Sequence, residues 1–265
     1  MTYPTDGSSH ANGLSNEDKL LAWLGEKLKD NPNVFGFQDK YKYGLCLQVE
    51  KKGGTKYKDD LVLLSSNNKV LGISAKRWTG ATHDWCNISA AVTELSNKYP
   101  SFRSIIQSGL EITKEGRTEE ERIANQRIIV KEAGSQQIDW LNENPEELRL
   151  FLQNQFEKIK NQEVILNDIK NKQWVSYKGS DHPMFEILSN PDWTPVLQKA
   201  RSRYPESATI VGADLRLRTV LNNGVTALFE KDKDSRFVFK IQQERVKILV
   251  DTLDKQGKIK RESYE

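Results

Sequence analysis

Cysteine is nearly absent: Cys46 and Cys86 stand far apart and in no ligand spacing. That excludes a zinc ribbon or a disulfide scaffold and favours a reducing, cytoplasmic setting. No run approaches the ~18 consecutive apolar residues of a membrane-spanning helix. Residues 1–15 are polar, so neither a signal peptide nor a membrane anchor is expected. Histidine is scarce and scattered, at His10, His83 and His182. There is no Walker A loop and no Rossmann glycine pattern, and Gly72-Ile73-Ser74-Ala75 lacks the second glycine of a nucleophile elbow. An excess of one charge is also lacking, with 40 Lys and Arg against 37 Asp and Glu, a net of +3. A balance this even does not argue for nucleic acid by itself, and it leaves room for a basic cleft.

What is present suffices for a folded core. A chain of 265 residues buries enough surface to fold without metal or disulfides. With 37% hydrophobic and 29% charged residues it reads as a soluble globular protein. Residues 1–14, rich in Gly, Ser and Asn, read as a flexible arm, and 15–265 as a single domain. A helix is expected from Ser15, where Asp18 completes an approximate capping box and Leu20, Leu21, Leu24 and Leu28 form one face. Three strand-like segments follow, at 45–50, 60–64 and 70–76. The polar run Ser65-Ser66-Asn67-Asn68 between the last two reads as a hairpin loop. Residues 78–86 read as a loop, and 87–99 and 102–110 as helices. The charged stretch 115–171 reads as mostly helical, with 127–130 open to a strand reading. Residues 181–195 read as loop and 208–252 as strands, with Asn222-Asn223-Gly224 as a hairpin turn. The expected fold class is α/β, a mixed central sheet flanked by helices with helical and β elaborations.

The chemistry concentrates in residues 56–78, KYKDDLVLLSSNNKVLGISAKRW. If Ser65 pairs with Lys69, Asp60 lies opposite Ser74. Ser74 and Lys76 share a face because strand side chains alternate. Asp60, Ser74 and Lys76 then meet at one end of an otherwise apolar hairpin. A carboxylate there can ligate Mg²⁺. The metal lowers the pKa of bound water, and a nearby ammonium orients that water and offsets charge on phosphorus. These are the needs of phosphodiester hydrolysis. The ordinary alternative is a polar strand start at Asp59-Asp60 and a polar strand end at Lys76-Arg77.

The segment resembles the PD-(D/E)xK nuclease superfamily, and within it the type II restriction endonucleases. Asp59-Asp60 stands where Pro-Asp usually stands, and Ser74-Ala75-Lys76 where acid-x-Lys usually stands, 14 residues from Asp60 to Ser74. The order helix, three strands, helix over about 15–100 also fits. Ser74 departs from the pattern, as in members whose second acid migrates to a following helix. Glu94 is the first Glu after the motif. Glu17, on the leucine face of the first helix, and Asp84 are the further candidates. The resemblance implies that Asp60, the main-chain carbonyl of Ala75 and a carboxylate, Glu94 or Glu17, hold Mg²⁺ while Lys76 positions water. In-line attack then leaves 5′-phosphate ends. It also implies a catalytic core of about 15–132, DNA-recognition elaborations of about 133–265, double-stranded DNA as partner and a homodimer matched to a palindromic site. A repair or structure-specific nuclease, or a DNA-binding module of the same fold that does not cut, are the alternatives. A scaffold protein binding its partner through 115–171 is a third.

Further candidates for DNA contact are Arg77 and Trp78, directly after the motif, and the cluster Arg201, Arg203, Arg216 and Arg218. Arg reaches phosphate with a bidentate fork. Their ordinary roles are a packing Trp with an Arg at the rim, and a solvated sheet face.

Overall fold

A computed structural model describes residues 8–37, 46–52, 59–67, 70–78, 82–112, 118–200, 205–213, 215–220 and 236–264. The fold is α/β. The chain forms two compact units, one from residues 1–83, 155–186 and 243–265, the other from 84–154 and 187–242. The expected core of 15–132 therefore coincides with neither unit.

The first unit is built on a six-stranded mixed sheet. Its strands are β1 (Cys46–Lys51), β2 (Leu61–Ser65), β3 (Val70–Arg77), β5 (Glu163–Asp168), β6 (Gln173–Lys178) and β11 (Lys260–Ser263), in that spatial order. Neighbours are antiparallel except β3 and β5, which run parallel. Helix α1 (Ser8–Asp30) lays Leu20, Leu24 and Leu28 on the sheet residues Leu61, Leu63, Leu71, Ile73, Ala75 and Ile165. The spacing of those leucines is that of one helical stripe, and the strand residues alternate, so each element contributes one apolar face. Val62, Val164 and Leu166, on the opposite face, are equally buried. Being covered on both sides explains why β2 and β5 read as unbroken apolar runs. Helix α7 (Gln243–Lys255) buries Val246, Leu249, Val250 and Leu253.

The second unit holds a five-stranded sheet in the order β4 (Thr82–Ile88), β10 (Arg236–Gln242), β9 (Leu215–Val220), β8 (Ser207–Ile210), β7 (Leu197–Lys199). Its helices include α2 (Ser89–Lys98), α3 (Pro100–Ile112), α4 (Glu119–Glu143) and α5 (Pro145–Ile159), the last ending in the first unit. Thr118 and Glu121 cap α4 reciprocally, each side chain accepting the other's backbone N–H at 3.2 Å. Trp140 packs its ring 5.0 Å from Phe102 and 5.1 Å from Tyr99, and its Nε1 donates to Ser101 Oγ at 3.1 Å. Gly134 lets α4 approach the sheet, since a Cβ there would lie 2.5 Å from Thr219 Oγ1.

Several expectations are corrected. Helix α1 begins at Ser8, inside the expected arm. Residues 82–86, expected as loop, and 87–88, expected to open a helix, form β4. Val164, Ile165 and Leu166 make β5 inside the stretch expected to be helical, and 127–130 lies in α4. A short apolar run fits a buried strand or a buried helix equally, which is why its neighbours misled. Residues 243–252, expected as strand, are helical because their apolar residues recur at helical spacing. Met184–Ser189 is a short helix, α6. The turn at 222–224 lies outside the described residues. Among the described residues no helix is long and apolar enough to cross a membrane.

Candidate active site

The site forms where β2 stops and β3 continues. Pairing runs from Leu64 against Val70 to Leu61 against Ile73, the register that sets Asp60 opposite Ser74. Asp60 N donates to Ile73 O at 2.9 Å, the last rung before the strands part. Beyond it no strand pairs with this edge of β3 among the described residues, and the Asp60 side chain bonds to it there. Its Oδ2 accepts from Ala75 N at 2.8 Å, from Ser74 Oγ at 3.3 Å and from Lys76 Nζ at 3.3 Å. Asp60 Oδ1 has no partner among the described residues. A residue's N–H and C=O point to the same side of an extended strand, so the Ala75 carbonyl faces this side too. The side chains of Asp60 and Lys76 keep 24% and 19% of their surface in solvent, enough for a ligand to reach them.

Glu17 of α1 stands close enough to feel both charges. Burial, then the negative charge of Asp60, push its carboxyl above the usual range, against the opposing pull of Lys51 and Lys76. Lys51 Nζ lies 3.5 Å from Glu17 Oε2 and 2.7 Å from Asp18 Oδ1. A bound cation would relieve the repulsion that the Asp60 charge exerts on the Glu17 carboxylate.

Asp59 supports the turn into Asp60. Its Oδ1 accepts from Gln162 Nε2 at 2.6 Å, and Gln162 is buried. The Asp59 carboxylate occupies the space over Gly72, where a Cβ would lie 2.0 Å from Oδ1. The glycine is therefore required by a neighbour's side chain.

The remaining candidates fall elsewhere. Glu94 is exposed on α2 in the second unit, whereas the cluster at Asp60 is assembled within the first. Asp84 and His83 fall in β4. Arg77 ends β3 and is exposed. Trp78 is half-buried and its N donates to Asn167 O at 3.0 Å. Arg216 and Arg218 lie on β9 opposite Lys240 and Val238 of β10, and Arg216 is half-buried. Arg201 and Arg203 lie outside the described residues. His182 is a core residue: burial pushes its pKa down to about 3, its Nδ1 accepts from Met184 N at 3.1 Å, and its ring sits 5.1 Å from Phe156.

Among the described residues no three His, Cys, Asp or Glu side chains cluster as a metal cage. Mg²⁺ does not need one. It is held by one or two carboxylates, with waters and substrate phosphates completing the shell. Asp60, Glu17 and the Ala75 carbonyl are hard oxygen donors of that kind, and they fit the ion.

No family model matches the chain, and no curated protein matches its sequence. Gln162, bonded to Asp59, and Lys51, paired with Glu17, border the site without having been expected. Gln162 and Asn167 stand on either side of the apolar run Val164–Leu166 and its preceding Glu163.

Proposed function

We propose that the protein is a Mg²⁺-dependent endonuclease that cuts double-stranded DNA, in the manner of a type II restriction enzyme. The observation that carries this reading is the contact of Asp60 Oδ2 with Lys76 Nζ at the edge of β3, beside Glu17. Asp60, Glu17 and the Ala75 carbonyl would hold the ion. When bound, Mg²⁺ supplies a water of lowered pKa and offsets charge on the phosphoryl oxygens. Lys76 orients the attacking water and offsets the charge that builds on phosphorus. Water adds to phosphorus as the bond to the 3′ oxygen breaks, which leaves a 5′-phosphate and a 3′-hydroxyl. Glu17 takes the place assigned to Glu94 as the first choice of second acid. A homodimer would match such a site to a palindrome.

A DNA-binding module of the same fold that does not cut is the competing reading. It is favoured by Ser74, whose hydroxyl donates to Asp60 where a second carboxylate would stand. Incubation of the protein with DNA in Mg²⁺ or EDTA separates the two. Cutting that requires Mg²⁺ and is lost in Lys76→Ala supports the nuclease. Binding without cutting supports the module.

A further inference from the structure

Beyond Ala75 and Ile165 the face of the first sheet that meets α1 changes from apolar to polar. The next residues on that face are Arg77 and Asn167, which are neighbours in the parallel register of β3 and β5. Asn16 and Lys19 of α1 border the same space. Together with Ser15 and Ile169 they line a pocket of about 60 Å³. A single water needs ~10–15 Å³ of such space, so a tetrahedral oxyanion has room.

The lining is one-sided in charge and in hydrogen bonding. It holds an ammonium, a guanidinium, a hydroxyl and two amides, and no carboxylate. The amides are fixed rather than loose. Asn16 and Asn167 are both 4% exposed. Asn167 Nδ2 donates to Asn16 Oδ1 at 2.8 Å, and Tyr264 OH donates to Asn167 Oδ1 at 3.3 Å. In that network each amide oxygen already accepts one hydrogen bond. It leaves Asn16 Nδ2, a donor, without a partner among the described residues. Lys19 likewise has no ion pair among them. A rigid donor beside the ammonium of Lys19, with the positive charge of Arg77 in the same lining, suits an anion such as a phosphate.

We infer that this pocket is a phosphate subsite, holding a non-scissile phosphate of the nucleic-acid strand that Asp60 and Lys76 cut. The inference rests on the nuclease reading for the identity of the strand. Arg77 follows Lys76 directly, and Asn16 and Lys19 flank Glu17 on α1, so the pocket adjoins the proposed reacting groups along both elements. Contacts of this kind position a duplex without reading its sequence.

The test is a fluorescence-anisotropy titration of a labelled mixed-sequence DNA duplex in EDTA, with cutting in Mg²⁺ scored separately. Lys19→Gln is exposed and leaves the core alone. Asn16→Asp keeps the acceptor for Asn167 and adds a repelling charge. Both variants are expected to bind the duplex several-fold more weakly, and Lys19→Gln to lower the slope of log K against log salt by ~1. Variants that bind like the wild type, or a wild type that does not bind the duplex, overturn the subsite. Weakened variants with a wild type that never cuts leave the subsite standing and remove the nuclease reading. Inorganic phosphate is titrated in parallel, read on the side-chain amide resonances of Asn16 and Asn167. If it moves them while duplex binding ignores both substitutions, the pocket serves a free phosphoryl ligand and the DNA assignment is overturned.

Discussion

Asp60 Oδ2 and Lys76 Nζ lie 3.3 Å apart because the hairpin pairing ends at Leu61 and Ile73. The strand that ends supplies the acid, and the strand that continues supplies the lysine. The three groups that meet Asp60 Oδ2 do not contribute equally to the proposed reaction, and that inequality can be measured.

Lys76→Ala removes the ammonium, whereas Ser74→Ala removes one neutral donor. Loss of a positioned charge-stabilising group lowers turnover by ~10²–10³. Loss of a hydrogen bond to a charged carboxylate costs ~1.5–3 kcal/mol of stability. Steady-state cleavage rates are expected to fall far more in Lys76→Ala than in Ser74→Ala. Thermal melts are expected to show a modest loss in Ser74→Ala. Equal rates in the two variants would contradict the assignment of Lys76.

Glu17 has its carboxyl raised in the folded state by burial and by Asp60. A raised acid favours the fold when protonated. Its contribution is therefore favourable below the unfolded value near 4.5 and is lost as pH rises through the folded value. Glu17→Gln is expected to melt higher than wild type at neutral pH without metal, with the difference closing on acidification below that value. Mg²⁺ is expected to raise the melting temperature of the wild type more than that of the variant. Identical Mg²⁺ shifts would remove Glu17 from the metal site.

Gly72→Ala drives a Cβ into the Asp59 carboxylate and breaks its bond to Gln162. An unpaired buried amide costs ~1–3 kcal/mol. The substitution is expected to destabilise the wild type by that order and to be nearly neutral in an Asp59→Ala background. A double-mutant cycle read by denaturant unfolding checks this. Additive costs would show that Gly72 serves something other than Asp59.

His182 titrates at about 3 in the folded state because burial disfavours its charge. Its unfolded value is ~6.5, so stability is lost as pH falls from there toward 3. His182→Asn keeps an acceptor for Met184 N and removes the titration. The wild type is expected to lose up to ~1.4 kcal/mol more per pH unit across that window than the variant does. Parallel acid profiles would contradict the buried, neutral state of this residue.

The hairpin was legible in the sequence because two apolar runs flank one polar loop, and a buried face tolerates no slip of register. That was enough to bring Asp60, Ser74 and Lys76 together. Glu17 was legible as a polar residue on a leucine face, yet Glu94 ranked above it. Distance along the chain after the motif suggested Glu94, which belongs to the second unit, whereas the residues that meet Asp60 belong to the first. The β5 strand was hidden by charged helical sequence on its N-terminal side. The pairing of Asn16 with Asn167 spans 151 residues, and no local pattern announces a contact of that range.

The most direct test of the account is digestion of long unmethylated DNA by the purified protein, with Mg²⁺ or EDTA, beside Lys76→Ala and Asp60→Asn. The account predicts discrete fragments with the wild type in Mg²⁺ only, 5′-phosphates at the new ends, and intact DNA with both variants. Intact DNA with the wild type in Mg²⁺, or cutting that survives either substitution, would contradict it.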